Sequence, residues 1–141
     1  MTIGWQFWAL FSAVFAALTA ILAKVGVEEV NPDVATFIRT LVIIIFLGVL
    51  LLVSGQRIET ISIRGLVFLV LSGIATGASW LCYFRALKLG DAAQVAPLDK
   101  LSVVLVAIFA VIFLGERLSP RDAIGIALIT IGAILIATGR A

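Results

Sequence analysis

Residues 34–54 read VATFIRTLVIIIFLGVLLLVS, and this stretch decides the fold class. It is as long as a helix must be to cross the hydrocarbon layer, about 20 residues rising 1.5 Å each, and it carries one charge, Arg39. Working outward, four more segments share its character: Trp5 to Val27, Arg64 to Lys88, Ala92 to Leu114 and Pro120 to Gly139. Glu28-Glu29 and Asn31-Pro32 end the first, and Gly55-Gln56-Arg57 closes the second. Gly90 is expected as a left-handed helix stop and Asp91 as the N-cap of the fourth helix. Ser119-Pro120-Arg121-Asp122 reads as a helix start, with Ser119 as N-cap and proline at the first helical position, where its missing N–H costs nothing. The connections are too short for a soluble domain and make successive helices antiparallel neighbours. The expectation is an all-α integral membrane protein, one domain over residues 1–141 with five transmembrane helices.

Composition agrees. The 141 residues are 63% hydrophobic and 13% charged, more apolar surface than a water-soluble fold of this length can hide. The lipid bilayer is therefore the solvent. Ten basic and eight acidic residues, net +2, are spread singly, so no nucleic-acid partner is expected. The single cysteine, Cys82, permits no internal disulfide. The first segment lacks a basic leader and a convincing cleavage site and is expected to be retained as a helix. With no histidine, no metal-ligand cluster and no phosphate-binding glycine loop, neither an enzyme nor a cofactor or metal is expected.

Orientation is ambiguous by the positive-inside rule. Arg57, Arg64, Arg117 and Arg121 flank the N-terminal side, against Lys24, Arg39, Arg85, Lys88, Lys100 and Arg140 on the other. Discounting Arg39 and Lys100 as membrane-embedded levels the count.

A charge at the centre of a span costs roughly 2.5–3.5 kcal/mol on insertion scales, so embedded charges are functional candidates. Three qualify: Arg39, Asp99 and Lys100. At 1.5 Å per residue Arg39 lies about 8 Å into its helix, and Asp99 and Lys100 lie about 11–12 Å into theirs. All enter from the side that Lys24, Arg85, Lys88 and Asp91 share, which suggests a one-sided hydrated vestibule. Lys24, Arg85 and Lys88 can instead snorkel to the headgroups. Asp99, too short to do so, calls for a buried partner or an aqueous cavity, with Arg39 and Arg85 as candidate partners. Because adjacent helical residues diverge by about 100°, Asp99 and Lys100 are expected to have separate partners.

Pro97 should kink the fourth helix by pushing away the carbonyl of Ala93, close to Gln94, Asp99 and Lys100. Trp80 and Tyr83, three apart on the third helix, form an aromatic wall beside Arg85, whereas Trp5 and Trp8 fit an interfacial belt. Gly73 and Gly77, and Gly125 and Gly132, are small-residue patterns that let backbones approach, within or between chains. Glu116 beside Arg117 and Arg121 suggests structural ion pairing.

Ala93-Gln94-Val95-Ala96-Pro97-Leu98, Leu114-Gly115-Glu116-Arg117-Leu118-Ser119, Gly125, Gly132 and the third-helix ending Tyr83-Phe84-Arg85-Ala86-Leu87 together resemble the EamA domain of the drug/metabolite transporter superfamily. The resemblance covers essentially the whole chain, and it implies transport of small metabolites, often outward, through a cavity between helical repeats. Most members carry two five-helix domains of opposite orientation. The chain has one, which points to a homodimer, with the level charge count allowing an antiparallel arrangement that recreates an inverted repeat. The expected function is a secondary-type transporter of a small metabolite or amphiphilic solute in the cytoplasmic membrane of a prokaryote. Arg39, Trp80, Tyr83, Gln94, Asp99 and Lys100 are the expected substrate-binding or coupling residues. The alternatives are a lipid flippase, or a non-transporting structural subunit of a membrane complex.

Overall fold

The computed structural model describes residues 4–56 and 61–139. Arg57 and Arg140, which entered the orientation count, lie outside them. Among the described residues six α-helices form: α1 (Trp5–Val27), α2 (Pro32–Ser54), α3 (Ile63–Leu89), α4 (Ala92–Asp99), α5 (Ser102–Phe109) and α6 (Pro120–Thr138), with a π-helical segment, Ala110–Leu114, continuing α5. Since Ala92–Leu114 counts as one span, five helices are long and apolar enough to cross a membrane. The fold is all-helical, and the chain is a multi-pass membrane protein.

Local chemistry sets the helix ends. Asn31, in extended conformation, accepts from the N–H of Asp33 at 2.9 Å and starts α2 on Pro32, two residues before the hydrophobic run itself begins. Gly55 takes φ +64° to end it. At α6 the expected cap is present and goes further. Ser119 Oγ accepts from the N–H of Asp122 at 3.3 Å, and the Asp122 carboxylate accepts from the N–H of Ser119 at 2.9 Å, a reciprocal capping box.

Three local expectations need correction. Gly90 is not a left-handed stop, since among the described residues only Gly55 and Gly115 have positive φ. Its helix ends differently: the carbonyl of Leu87, one of those a helix terminus leaves unpaired, accepts from the Lys24 ammonium at 2.9 Å. The fourth span is not one regular helix from Ala92 to Leu114, although its break falls beside the charged pair, where the Pro97 kink is expected. α4 runs through Pro97 to Asp99 and breaks at Lys100 and Leu101, where tighter i→i+3 bonds begin at the Pro97 carbonyl itself, from Lys100 N at 3.1 Å and onward from Leu101 N to Leu98 O at 3.0 Å. Glu116 forms no ion pair among the described residues. Its backbone N–H donates to Ala110 O at 3.1 Å across Gly115, whose φ of +68° closes the π segment.

The chain divides into two compact units, Leu22–Leu89, and Met1–Ile21 with Gly90–Ala141. In the first, α2 packs on α3, and Ala23, Val27, Thr36, Phe84 and Leu87 are buried. In the second, α4 and α5 pack on α6, with Ala20, Ala110 and Ala133 buried. Small side chains at most of these positions suit close helix approach without a large core. The glycine patterns, by contrast, mark no close approach within the chain: a Cβ added at Gly73, Gly77, Gly125 or Gly132 would meet nothing within 4 Å among the described residues.

Candidate functional site

The first unit holds a ladder of polar and aromatic contacts between α2 and α3. At its outer end Asp33 accepts a two-pronged ion pair from Arg85, Nε to Oδ1 at 3.1 Å and Nη2 to Oδ2 at 3.0 Å. Further in, the Arg39 guanidinium carbon lies 3.3 Å from the centroid of the Trp80 ring and 5.9 Å from that of Phe84. Six residues along α2 thus match five back along α3, as antiparallel helices require. The short distance to Trp80 puts the cation over the ring face, where the π quadrupole attracts it, an interaction worth about 2 kcal/mol when desolvated.

Trp80 is held in turn. It meets Tyr83 edge-on at 5.5 Å and Phe84 at 5.8 Å, the i+3 and i+4 neighbours that share its helix face. Thr36, one turn before Arg39, is buried, and its hydroxyl donates to Pro32 O at 2.8 Å.

Two lysines in this unit exchange caps between helix ends. Lys24 near the end of α1 donates to Leu87 O at 2.9 Å, while Lys88 near the end of α3 donates to Val27 O at 2.6 Å and Glu28 O at 2.7 Å. Each ammonium sits against the negative end of the other helix's dipole, satisfying carbonyls that helix termini leave unpaired. Lys24, Lys88 and Arg85 therefore do not merely snorkel to the headgroups, because nearer acceptors within the protein hold them. Nothing in the spacing of these residues along the sequence announced that exchange.

In the second unit the break between α4 and α5 carries Asp99 and Lys100. They pair with each other, Nζ to Oδ2 at 3.3 Å, instead of having separate partners. With the helix ended at Asp99, the long lysine stem is free to fold back. Arg85, in the first unit, is Asp33's partner. Gln94, half-buried one turn into α4, bonds through its backbone N–H to Asp91 O at 3.0 Å. Asp91 caps α4 by its extended backbone, without a side-chain bond.

Arg39, Trp80 and Tyr83 are thus gathered in the first unit, and Gln94, Pro97, Asp99 and Lys100 on α4 and its break in the second. A separate apolar crevice of about 560 Å³ runs between α5 with its π segment and α6, lined by Val104, Ile108, Val111, Ile126, Thr130 and others. None of the residues singled out for solute binding lines it.

Five apolar spans, one of them broken at a charged pair, define a multi-pass membrane protein. The chain belongs to the EamA-like transporter family, whose sequence profile matches residues 3–138. It is 59% identical over 139 residues, 97% of this chain and 99% of the other, to an "Uncharacterized transporter in cobO 3'region" of Sinorhizobium sp. It is also 30% identical over 127 residues, 90% of this chain and 91% of the other, to "Uncharacterized protein MJ1333.1" of Methanocaldococcus jannaschii. No solved structure matches the chain. The family makes it a membrane transporter.

Proposed function

We propose that the chain is a secondary-type transporter of a small metabolite or amphiphilic solute, without enzymatic activity, whose residues 1–141 form one half of a homodimer in a prokaryotic cytoplasmic membrane. The observation that carries this reading is the break after Asp99. In lipid, irregular backbone is tolerated only where it is buried in protein or lines a wet cavity, and a carboxylate is tolerated only with a counter-ion or water. Asp99 and Lys100 meet both conditions if they face a solute path. In that role Asp99 and Lys100 recognise or couple, Gln94 hydrogen-bonds solute, Arg39 supplies a further charge for recognition, and Trp80 and Tyr83 supply an apolar wall.

In the dimer, a second five-helix domain from another copy would complete an inverted repeat of the kind many transporters use. The glycine positions whose surroundings are open, Gly73, Gly77, Gly125 and Gly132, supply surfaces on which a second copy could pack, parallel or antiparallel.

The test is reconstitution of the pure protein in liposomes, screening solute uptake for wild type against Asp99→Asn and Lys100→Gln. Uptake by wild type that falls at least tenfold in both variants is expected. Equal uptake by all three removes the site assignment, and movement of labelled lipid without solute uptake replaces transporter by flippase. Stoichiometric purification with a different membrane protein, in the absence of any uptake, favours a structural subunit. Cysteine labelling at both ends in intact cells addresses topology, because one orientation in every copy excludes the antiparallel dimer.

A further inference from the structure

Arg39 is a cation inside a span whose contacts satisfy only half of it. Its guanidinium carbon lies over the Trp80 ring, 3.3 Å from the centroid, a contact that uses none of the five N–H donors of the rigid fork. No hydrogen bond or ion pair reaches that fork among the described residues. The nearest carboxylate on its helix, Asp33, has both oxygens engaged by Arg85. The neighbouring hydroxyls of Thr36 and Thr40 turn their protons to helix carbonyls, at 2.8 Å each.

Unpaired donors and an uncompensated charge are both costly in a membrane interior. A single group that brings negative charge and two acceptor oxygens in one plane relieves both at once, as carboxylates and phosphates do when they meet arginine edge-on. Trp80 is braced by Tyr83 and Phe84, so the fork is aimed before anything binds, and little ordering entropy is lost when it does.

We propose that the Arg39 fork, stacked on Trp80, is an oxyanion-binding site that takes a carboxylate or phosphate group. Resting on the transporter reading, it makes the solute an anion, unless the phosphate is that of a lipid headgroup. Lysine cannot replace arginine here, because a point charge neither stacks flat on the ring nor presents a fork.

The full-length chain with Trp5→Phe and Trp8→Phe keeps Trp80 as the reporter, next to the group in question. Its fluorescence is titrated in vesicles of digalactosyldiacylglycerol, a lipid without phosphate, with benzoate, inorganic phosphate and, as neutral control, benzamide. A second set of vesicles containing phosphatidylglycerol presents the phosphate as headgroup only. The expected result is a saturable change with benzoate or phosphate, absent with benzamide, weakened at least tenfold by Arg39→Lys and abolished by Arg39→Gln. A change confined to the phosphatidylglycerol vesicles and lost in Arg39→Gln keeps the site and assigns the oxyanion to lipid. Equal response to benzamide, or an undiminished response in Arg39→Gln, overturns the proposal. Where Arg39→Gln fails to fold, an undiminished response in Arg39→Lys overturns it equally. Uptake of an uncharged solute by the same vesicles with no Trp80 response sinks the oxyanion site and leaves the transporter reading. A Trp80 response without uptake of any solute does the reverse.

Discussion

The basic side chains Lys24, Arg39, Arg85 and Lys88 of residues 22–89 reach from helix to helix, whereas Lys100, Ser119 and Asp122 in residues 90–139 pair with near neighbours. Lys24 and Lys88 cap each other's helices and Arg85 grips Asp33 across more than fifty positions of sequence, but Asp99 pairs with the adjacent Lys100 and Ser119 with Asp122, three residues on. Long-range ties fix the register of two helices against each other, so removing one loosens tertiary structure. Short-range pairs satisfy backbone or charge in place and can be exchanged for another partner without moving a helix. On this comparison the long-range ties of the first region hold helices in register, while the break after α4 carries a charged pair whose partners can be exchanged without moving a helix.

The largest effect should come from the lysine exchange. Lys88→Met strips the Val27 and Glu28 carbonyls of their charged donor, a loss of about 2–3 kcal/mol, read as a lowered unfolding midpoint in mild detergent. A double-mutant cycle with Lys24→Met sharpens the point, since coupling between the two shows that they act as one clasp. Next comes Gly115→Ala, which forces a side chain into the left-handed region at φ +68° and should cost about 1–2 kcal/mol. Arg85→Gln is expected to cost about 1 kcal/mol or less, because the Arg85 and Asp33 side chains are 59% and 50% exposed and solvent or headgroups screen the pair. Glu116→Gln should change stability by no more than about 0.5 kcal/mol, since only its backbone is engaged. A large loss there would restore the side-chain ion pairing with Arg117 or Arg121 that the structure lacks.

Much of the fold was legible because lipid imposes a length and a composition that no other solvent demands, so five apolar runs became five spans with ends within a few residues. The cap at Ser119 was legible too, because capping depends on neighbours in sequence. What escaped depends on register between helices. Nothing in Lys24 or Lys88 says that each will meet the other's helix end, and nothing in Arg85 distinguishes Asp33 from Asp99 until α2 is laid along α3. Pro97 announced a disturbance beside the charged pair but not its form, a pair of tight turns that begin at the proline's own carbonyl. Of the candidate site, the aromatic pair Trp80 and Tyr83 followed from helical spacing, while the placing of Arg39 over Trp80 required the third dimension.

The most direct measurement sets Asp99→Asn beside Asp33→Asn, each scored for its unfolding midpoint and for solute uptake per folded molecule in proteoliposomes. The account predicts that Asp33→Asn lowers the midpoint by a few degrees and leaves uptake near that of wild type, whereas Asp99→Asn leaves the midpoint unchanged and reduces uptake at least tenfold. Loss of stability without loss of uptake at Asp99, or loss of uptake without loss of stability at Asp33, would contradict it.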